Sequence, residues 1–119
     1  MRADAVTEID QLLHTAATLR AELRSFETSL RKARSYLGRG GTAAGMHDAI
    51  DIITTRQALT RAAVDFEAAR RAARIAVFRA QLAEGMSVGA IARDWGFSRQ
   101  LVSRMMKEDR AQRSDADVT

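Results

Sequence analysis

Ser87-Val-Gly-Ala-Ile-Ala-Arg-Asp-Trp-Gly-Phe-Ser-Arg-Gln-Leu-Val-Ser-Arg-Met-Met-Lys107 reads as two short helices joined by a tight turn. Ser87 is a good N-cap, because its hydroxyl can accept from an otherwise unpaired amide two or three residues later. Val88, Ile91, Ala92 and Trp95 then fall on one helical face, and Gly96 supplies the left-handed residue that ends the helix. Ser98 caps the restart. In the second helix Leu101, Val102, Met105 and Met106 share one side of the wheel. Arg99, Gln100, Ser103, Arg104 and Lys107 share the other, within roughly 140° at about 100° per residue. Every side chain on that outer face can donate hydrogen bonds.

This segment resembles the DNA-binding helix-turn-helix, in the form found in resolvase-type recombinases and small bacterial regulators. The matching features are the small Ala92 where the two helices cross, Gly96 in the turn, and the apolar Ile91, Phe97, Val102 and Met105. Gly96-Phe-Ser-Arg-Gln-Leu-Val-Ser-Arg104 is close to that family's turn and recognition helix. The resemblance covers residues 70–110 and does not extend to the N-terminal half. It implies no recombinase activity, since the catalytic serine of that family belongs to a separate, larger domain. One departure is Gly89, inside the first short helix, which costs about 1 kcal/mol relative to Ala.

A helix-turn-helix pair cannot bury its own apolar face, so a third helix is required. Residues 69–84, with Ala69, Ala73, Ala76, Val77, Ala80 and Leu82, meet that need, and Gly85 ends the segment. Upstream, Ile9, Leu12, Ala16, Leu19, Leu23, Phe26, Leu30, Ala33 and Leu37 follow one another at alternating spacings of three and four. That pattern predicts a long bundle or coiled-coil helix, with Leu13 and Ala17 widening the stripe. Gly38-Arg-Gly-Gly41 breaks it. A phosphate-cradling loop needs a following Gly-Lys-Ser/Thr, which is missing, so this is a turn. A second long helix is expected from Ala43 or Met46 to Glu84, on a stripe of Ile52, Thr55, Leu59, Ala62, Phe66, Ala69, Ala73 and Ala76.

The expected fold is therefore all-α: an antiparallel long-helix hairpin over residues 1–68, a helix-turn-helix unit over 69–110, and a structureless tail over 111–119. The hairpin register puts Phe26 near residues 50–60 and Leu12 near 68–74. Apolar positions beyond one facing seam point to self-association, with Leu12, Leu19, Leu23, Phe26, Leu30, Ile50, Ile53, Leu59 and Phe66 as the oligomerisation set.

Composition agrees with closely packed helices. Hydrophobic residues make up 46% of the chain and aromatics only 5%, and Pro is absent. The net charge of +4 is unevenly placed. Residues 70–113 carry ten Lys or Arg against four Asp or Glu, whereas residues 1–69 carry nine of each. A positive field confined to one segment is what a polyanion-binding module requires. There is no Cys, hence no disulfide framework or thiolate metal site. No apolar run approaches the roughly 20 residues needed to span a bilayer. The charged, amphipathic N-terminus lacks a signal-peptide pattern, so a cytoplasmic, nucleoid-associated protein is expected.

Other chemistries find little support. His14 and His47 are isolated, whereas zinc sites need three or four convergent ligands; no metal or cofactor is expected. No Ser stands in relation to a His and a carboxylate as nucleophilic catalysis requires, so no catalytic residues are assigned and an enzyme is not expected. Trp95 and Phe97, flanking the turn, are read as core rather than as base-stacking platforms.

The expected function is sequence-specific binding of double-stranded DNA by a homodimer or higher oligomer, as a transcriptional regulator or DNA-organising protein of bacterial, plasmid or phage type. Arg99, Gln100, Ser103 and Arg104 are the candidates for base contacts, because Arg pairs with guanine and Gln with adenine in the major groove. Ser87, Arg93, Ser98, Lys107, Arg70, Arg71, Arg74 and Arg79 are the candidates for phosphate contacts. The alternative is a helical adaptor, or an accessory subunit of a recombination, partition or packaging complex, acting mainly through protein–protein contacts.

Overall fold

The computed structural model describes the backbone of residues 1–118 and the side chains of residues 1–115. Among the described residues the chain is all-helical: α1 (Arg2–Gly38), α2 (Met46–Ala49), α3 (Ile53–Ala83), α4 (Val88–Trp95) and α5 (Arg99–Val118). None of these helices is long and apolar enough to cross a membrane. Two compact units are present. One is Asp10–Ala69, and the other combines Met1–Ile9 with the chain from Arg70 onward. The sequence puts the first nine residues with the helical pair. In the structure they join the C-terminal unit, where Ala5 is buried.

Within Asp10–Ala69, α1 and α3 are neighbours running in opposite directions. Ser29 Oγ donates to the Asp51 carbonyl at 3.2 Å, and Thr55 Oγ1 donates to Ser29 Oγ at 3.1 Å. Further along, Thr18 and Glu22 line one groove with Ala58, Arg61, Ala62 and Asp65. Small residues dominate the contact: Thr15, Ser29, Ala33, Ala62 and Ala69, with the larger Ile52, are the buried set of this unit. Small side chains let helix backbones approach closely. Two hydroxyls at this contact find carbonyl partners, Thr15 on Leu12 and Thr55 on Ile52.

The connection from Gly38 to Ile52 departs from the expected Gly turn followed directly by one long helix. Gly40 takes φ 95°, and Gly41 packs so closely on the Tyr36 ring that a Cβ there would lie 2.5 Å from it. The expected second helix starts at Met46 but ends after one turn at Ala49; Ile50 is extended and α3 begins anew at Ile53. Asp51 explains the interruption. Its carboxylate accepts from the Thr54 amide at 3.2 Å, the local capping bond through which Asp favours helix starts over interiors. The surrounding Ile50, Ile52 and Ile53 are β-branched and weak helix formers.

In the C-terminal unit the core is Ile75, Phe78, Ile91, Ala92 and Val102, ringed by Met86, Val88, Trp95, Phe97, Met105 and Met106. Phe78, Ile91 and Val102 are fully buried. Phe78 meets Trp95 edge-on at 5.2 Å between centroids, and Trp95 stacks on Phe97 at 6.1 Å. Ile75 and Phe78 are absent from the expected stripe, while Leu82, which is in it, is exposed. The reason lies in α3's two roles. Its three-four stripe of alanines is buried, and the separate face bearing Ile75 and Phe78 serves α4 and α5.

The tail also differs from expectation. Residues 111–118 continue α5 as helix. Once a helix is nucleated each added residue gains a backbone bond, and this segment contains neither Gly nor Pro. Thr119, the end of the expected tail, lies outside the described residues.

Candidate nucleic-acid interface

The site is built from α4, the turn at Gly96 and α5. Ser87 Oγ accepts from the Ala90 amide at 3.1 Å and Ser98 Oγ from the Leu101 amide at 3.1 Å, so each serine caps its helix. Gly96 sits at φ 71°, ψ 29°, where only Gly is free of Cβ strain. The Phe97 amide donates back to the Ala92 carbonyl at 2.9 Å, closing the turn. Buried Ala92 leaves the junction room to close.

α5 is anchored on one side by Val102, with Leu101, Met105 and Met106 half-buried beside it. That anchoring fixes the rotation of the helix. Arg99, Gln100, Ser103, Arg104 and Lys107 are all exposed on the opposite side. Gln81 ties α4 to α3: its Oε1 accepts from Trp95 Nε1 at 3.0 Å, and its Nε2 donates to Asp94 Oδ2 at 2.8 Å. The surface formed this way is a rigid, donor-rich helix face.

Of the eight expected phosphate contacts, Arg93 and Arg70 are exposed, as are Ser87, Ser98 and Lys107. Arg71, itself half-exposed, and the less exposed Arg74 and Arg79 each meet another side chain of the unit. Arg71 Nη2 donates to Glu108 Oε2 at 2.6 Å. Arg74 lies over the Phe97 ring, 5.4 Å from its centroid. Arg79 is paired with Asp109 and both side chains are less than one-fifth exposed. Burial lowers the Arg79 pKa, as does the neighbouring Arg113, while Asp4 and Glu8 pull in the opposite direction. Arg79 thus points inward, because Asp109 on α5 offers it a partly desolvated partner. A phosphate role for it does not fit this geometry.

These pairings shape the electrostatics of the unit. Glu108 and Asp109, two of the four acids in residues 70–113, are neutralised by α3 arginines. Arg99, Arg104 and Lys107 stand at the exposed surface. Arg110, outside the expected contact set, extends the same face, since α5 remains helical there and residue 110 follows 100, 103 and 107 at spacings of three and four. That periodicity is readable in the sequence, since residue 110 lies within the expected unit. Among the described residues, no three His, Cys, Asp or Glu side chains are grouped to hold a metal ion.

No known protein family, curated protein or solved structure matches this chain.

Proposed function

We propose that this protein binds double-stranded DNA sequence-specifically, inserting α5 as a recognition helix into the major groove. In this reading residues 70–110 are a helix-turn-helix unit, and the α1–α3 pair is a hairpin through which two copies associate. The observation that carries it is the division of α5: Val102 is fully buried on one side, while Arg99, Gln100, Ser103, Arg104 and Lys107 are exposed together on the other. Arg and Gln present bidentate donors or donor–acceptor pairs suited to guanine and adenine edges. Lys107, Arg110 and Arg93 supply the sequence-independent phosphate attraction that sets affinity and register. Two recognition helices held by one dimer meet successive major-groove faces about 34 Å apart, so the site is a palindrome or a repeat. A regulator or DNA-organising protein of the nucleoid is the role that follows.

Selection of bound fragments from random DNA by the intact protein, at physiological salt, tests this directly. The expected result is an enriched motif with two half-sites and an affinity that falls steeply with salt. Absence of any DNA binding, with capture of an acidic protein instead, favours the adaptor reading.

A further inference from the structure

α1 carries two adjacent apolar rows, and in the structure the leucines of one of them stand exposed. Within Asp10–Ala69 the rows facing α3 are 15/22/29/36 and 12/19/26/33. Thr15, Ser29 and Ala33 are buried, and Leu12, Leu19 and Phe26 are half-buried. The next row round the wheel is Ala16, Leu23, Leu30 and Leu37, repeating every seven residues. Its three leucines are 43%, 46% and 42% exposed. The opposite flank of the pair is unlike it: there Thr18, Glu22, Thr54, Gln57, Arg61 and Asp65, with only Ala58 and Ala62 between them, line a mixed groove without a leucine. A seven-residue leucine row open on one flank only is the geometry of a helix seam awaiting a partner.

We infer that the Ala16–Leu23–Leu30–Leu37 row is the seam of a two-fold dimer in which α1 packs antiparallel on α1 of a second copy, with the symmetry axis at Leu23. This inference rests on the dimeric part of the proposed function and names its surface. Charge selects both the occupant and the direction. The row bordering the seam on its outer side holds Leu13, Arg20, Glu27 and Arg34. With the axis at Leu23, Arg20 of each copy comes level with Glu27 of the other, and two-fold symmetry makes the pair twice. The seam then sets Leu23 on Leu23 and Ala16 on Leu30, small against large. A parallel pairing would instead direct Arg20, Glu27 and Arg34 onto the 12/19/26/33 row, which α3 already occupies. Glu27 remains available, since its bond to Arg31 at 3.2 Å is an exposed contact within one helix, of the kind that contributes little. The surface is complementary to itself, as a closed two-fold contact requires.

The natural chain contains no Cys, so single cysteines report the geometry without background. In the full-length protein without DNA, Leu23→Cys is expected to form an interchain disulfide readily on mild oxidation. Leu30→Cys alone crosslinks far more slowly, whereas mixing Leu30→Cys with Ala16→Cys copies restores fast crosslinking. Glu27→Arg shifts sedimentation toward monomer, and adding Arg20→Glu returns it toward dimer. Equal crosslinking at Leu23 and Leu30 overturns the antiparallel seam. A dimer by sedimentation that does not crosslink at Leu23 overturns the surface while leaving a dimeric DNA-binding protein in place. A monomer at micromolar concentration overturns the seam and the dimeric reading together, while DNA binding by fluorescence anisotropy is scored separately.

Discussion

Arg99 and Arg79 are both arginines of the basic segment, yet the structure gives them opposite surroundings. Arg99 stands exposed at the first turn of α5, beside Gln100. Arg99→Ala or Gln100→Ala is expected to cost about 1–3 kcal/mol at the selected site and to leave random-DNA affinity nearly unchanged; competition titrations with the two DNAs measure the difference. Lys107→Ala or Arg110→Ala instead weakens all sequences alike and reduces the log–log salt slope by about 0.9 for each phosphate no longer neutralised. Arg79 is turned to Asp109 with little exposure on either side. Arg79→Ala therefore acts on stability, by about 1–3 kcal/mol for the carboxylate deprived of its partner. Chemical denaturation reads that change, and the salt slope of the variant that remains folded stays at the wild-type value. The caps Ser87 and Ser98 and the turn at Gly96 are legible from neighbours within a few residues. The orientation of Arg79 is not, because its partner lies 30 positions away along the chain.

At the scale of elements, α4 shows how a short helix is held by a few positions. Gly89 has an ordinary helical backbone, and a Cβ there meets the Arg93 guanidinium at 3.7 Å and Ser87 Oγ at 3.9 Å, both comfortable distances. Gly89→Ala should stabilise the protein by about 0.5–1 kcal/mol, seen as a raised melting temperature with unchanged DNA affinity. Ala92 is the opposite case: it is 3% exposed at the junction with the core. Ala92→Leu overpacks that junction at a cost of about 1–3 kcal/mol and lowers the melting temperature. The long helices teach a different lesson. A seam spaced by threes and fours establishes that α1 has an apolar side. It does not say which of the two adjacent rows meets α3. Phe26 and Leu23 are equally good readings on the wheel. Only the small residues Thr15, Ser29 and Ala33, buried against α3, turn the helix toward Phe26 and leave Leu23 outside.

For the whole molecule, the proposed function makes DNA affinity depend on two recognition helices acting together. Inserting about five base pairs between the half-sites turns the second site to the far side of a duplex with about 10–10.5 base pairs per turn. The second recognition helix then loses its effective concentration, and affinity falls toward that of a single half-site. Restoring a full turn of spacing recovers it in part, and gel-shift titration of the spacing series measures both steps.

What the sequence determines by itself are properties carried by neighbours along the chain. The all-α class follows from uninterrupted three-four spacing without Pro, the caps from Ser87 and Ser98, and the donor-rich face of α5 from one helical turn after another. The tertiary structure alone decides what depends on distant partners. Asp51 marks the break in the second helix locally, but its carbonyl meets Ser29 of α1 only through the fold. Phe78 enters the core because α4 and α5 fold back onto a face of α3 that the alanine stripe does not mark. Arg79 turns inward because Asp109 is brought to it, and Arg71 pairs at the surface with Glu108. Periodicity sets which residues can share a face. Which face is buried is set by packing density and by ion pairs that close only when segments far apart in sequence come together.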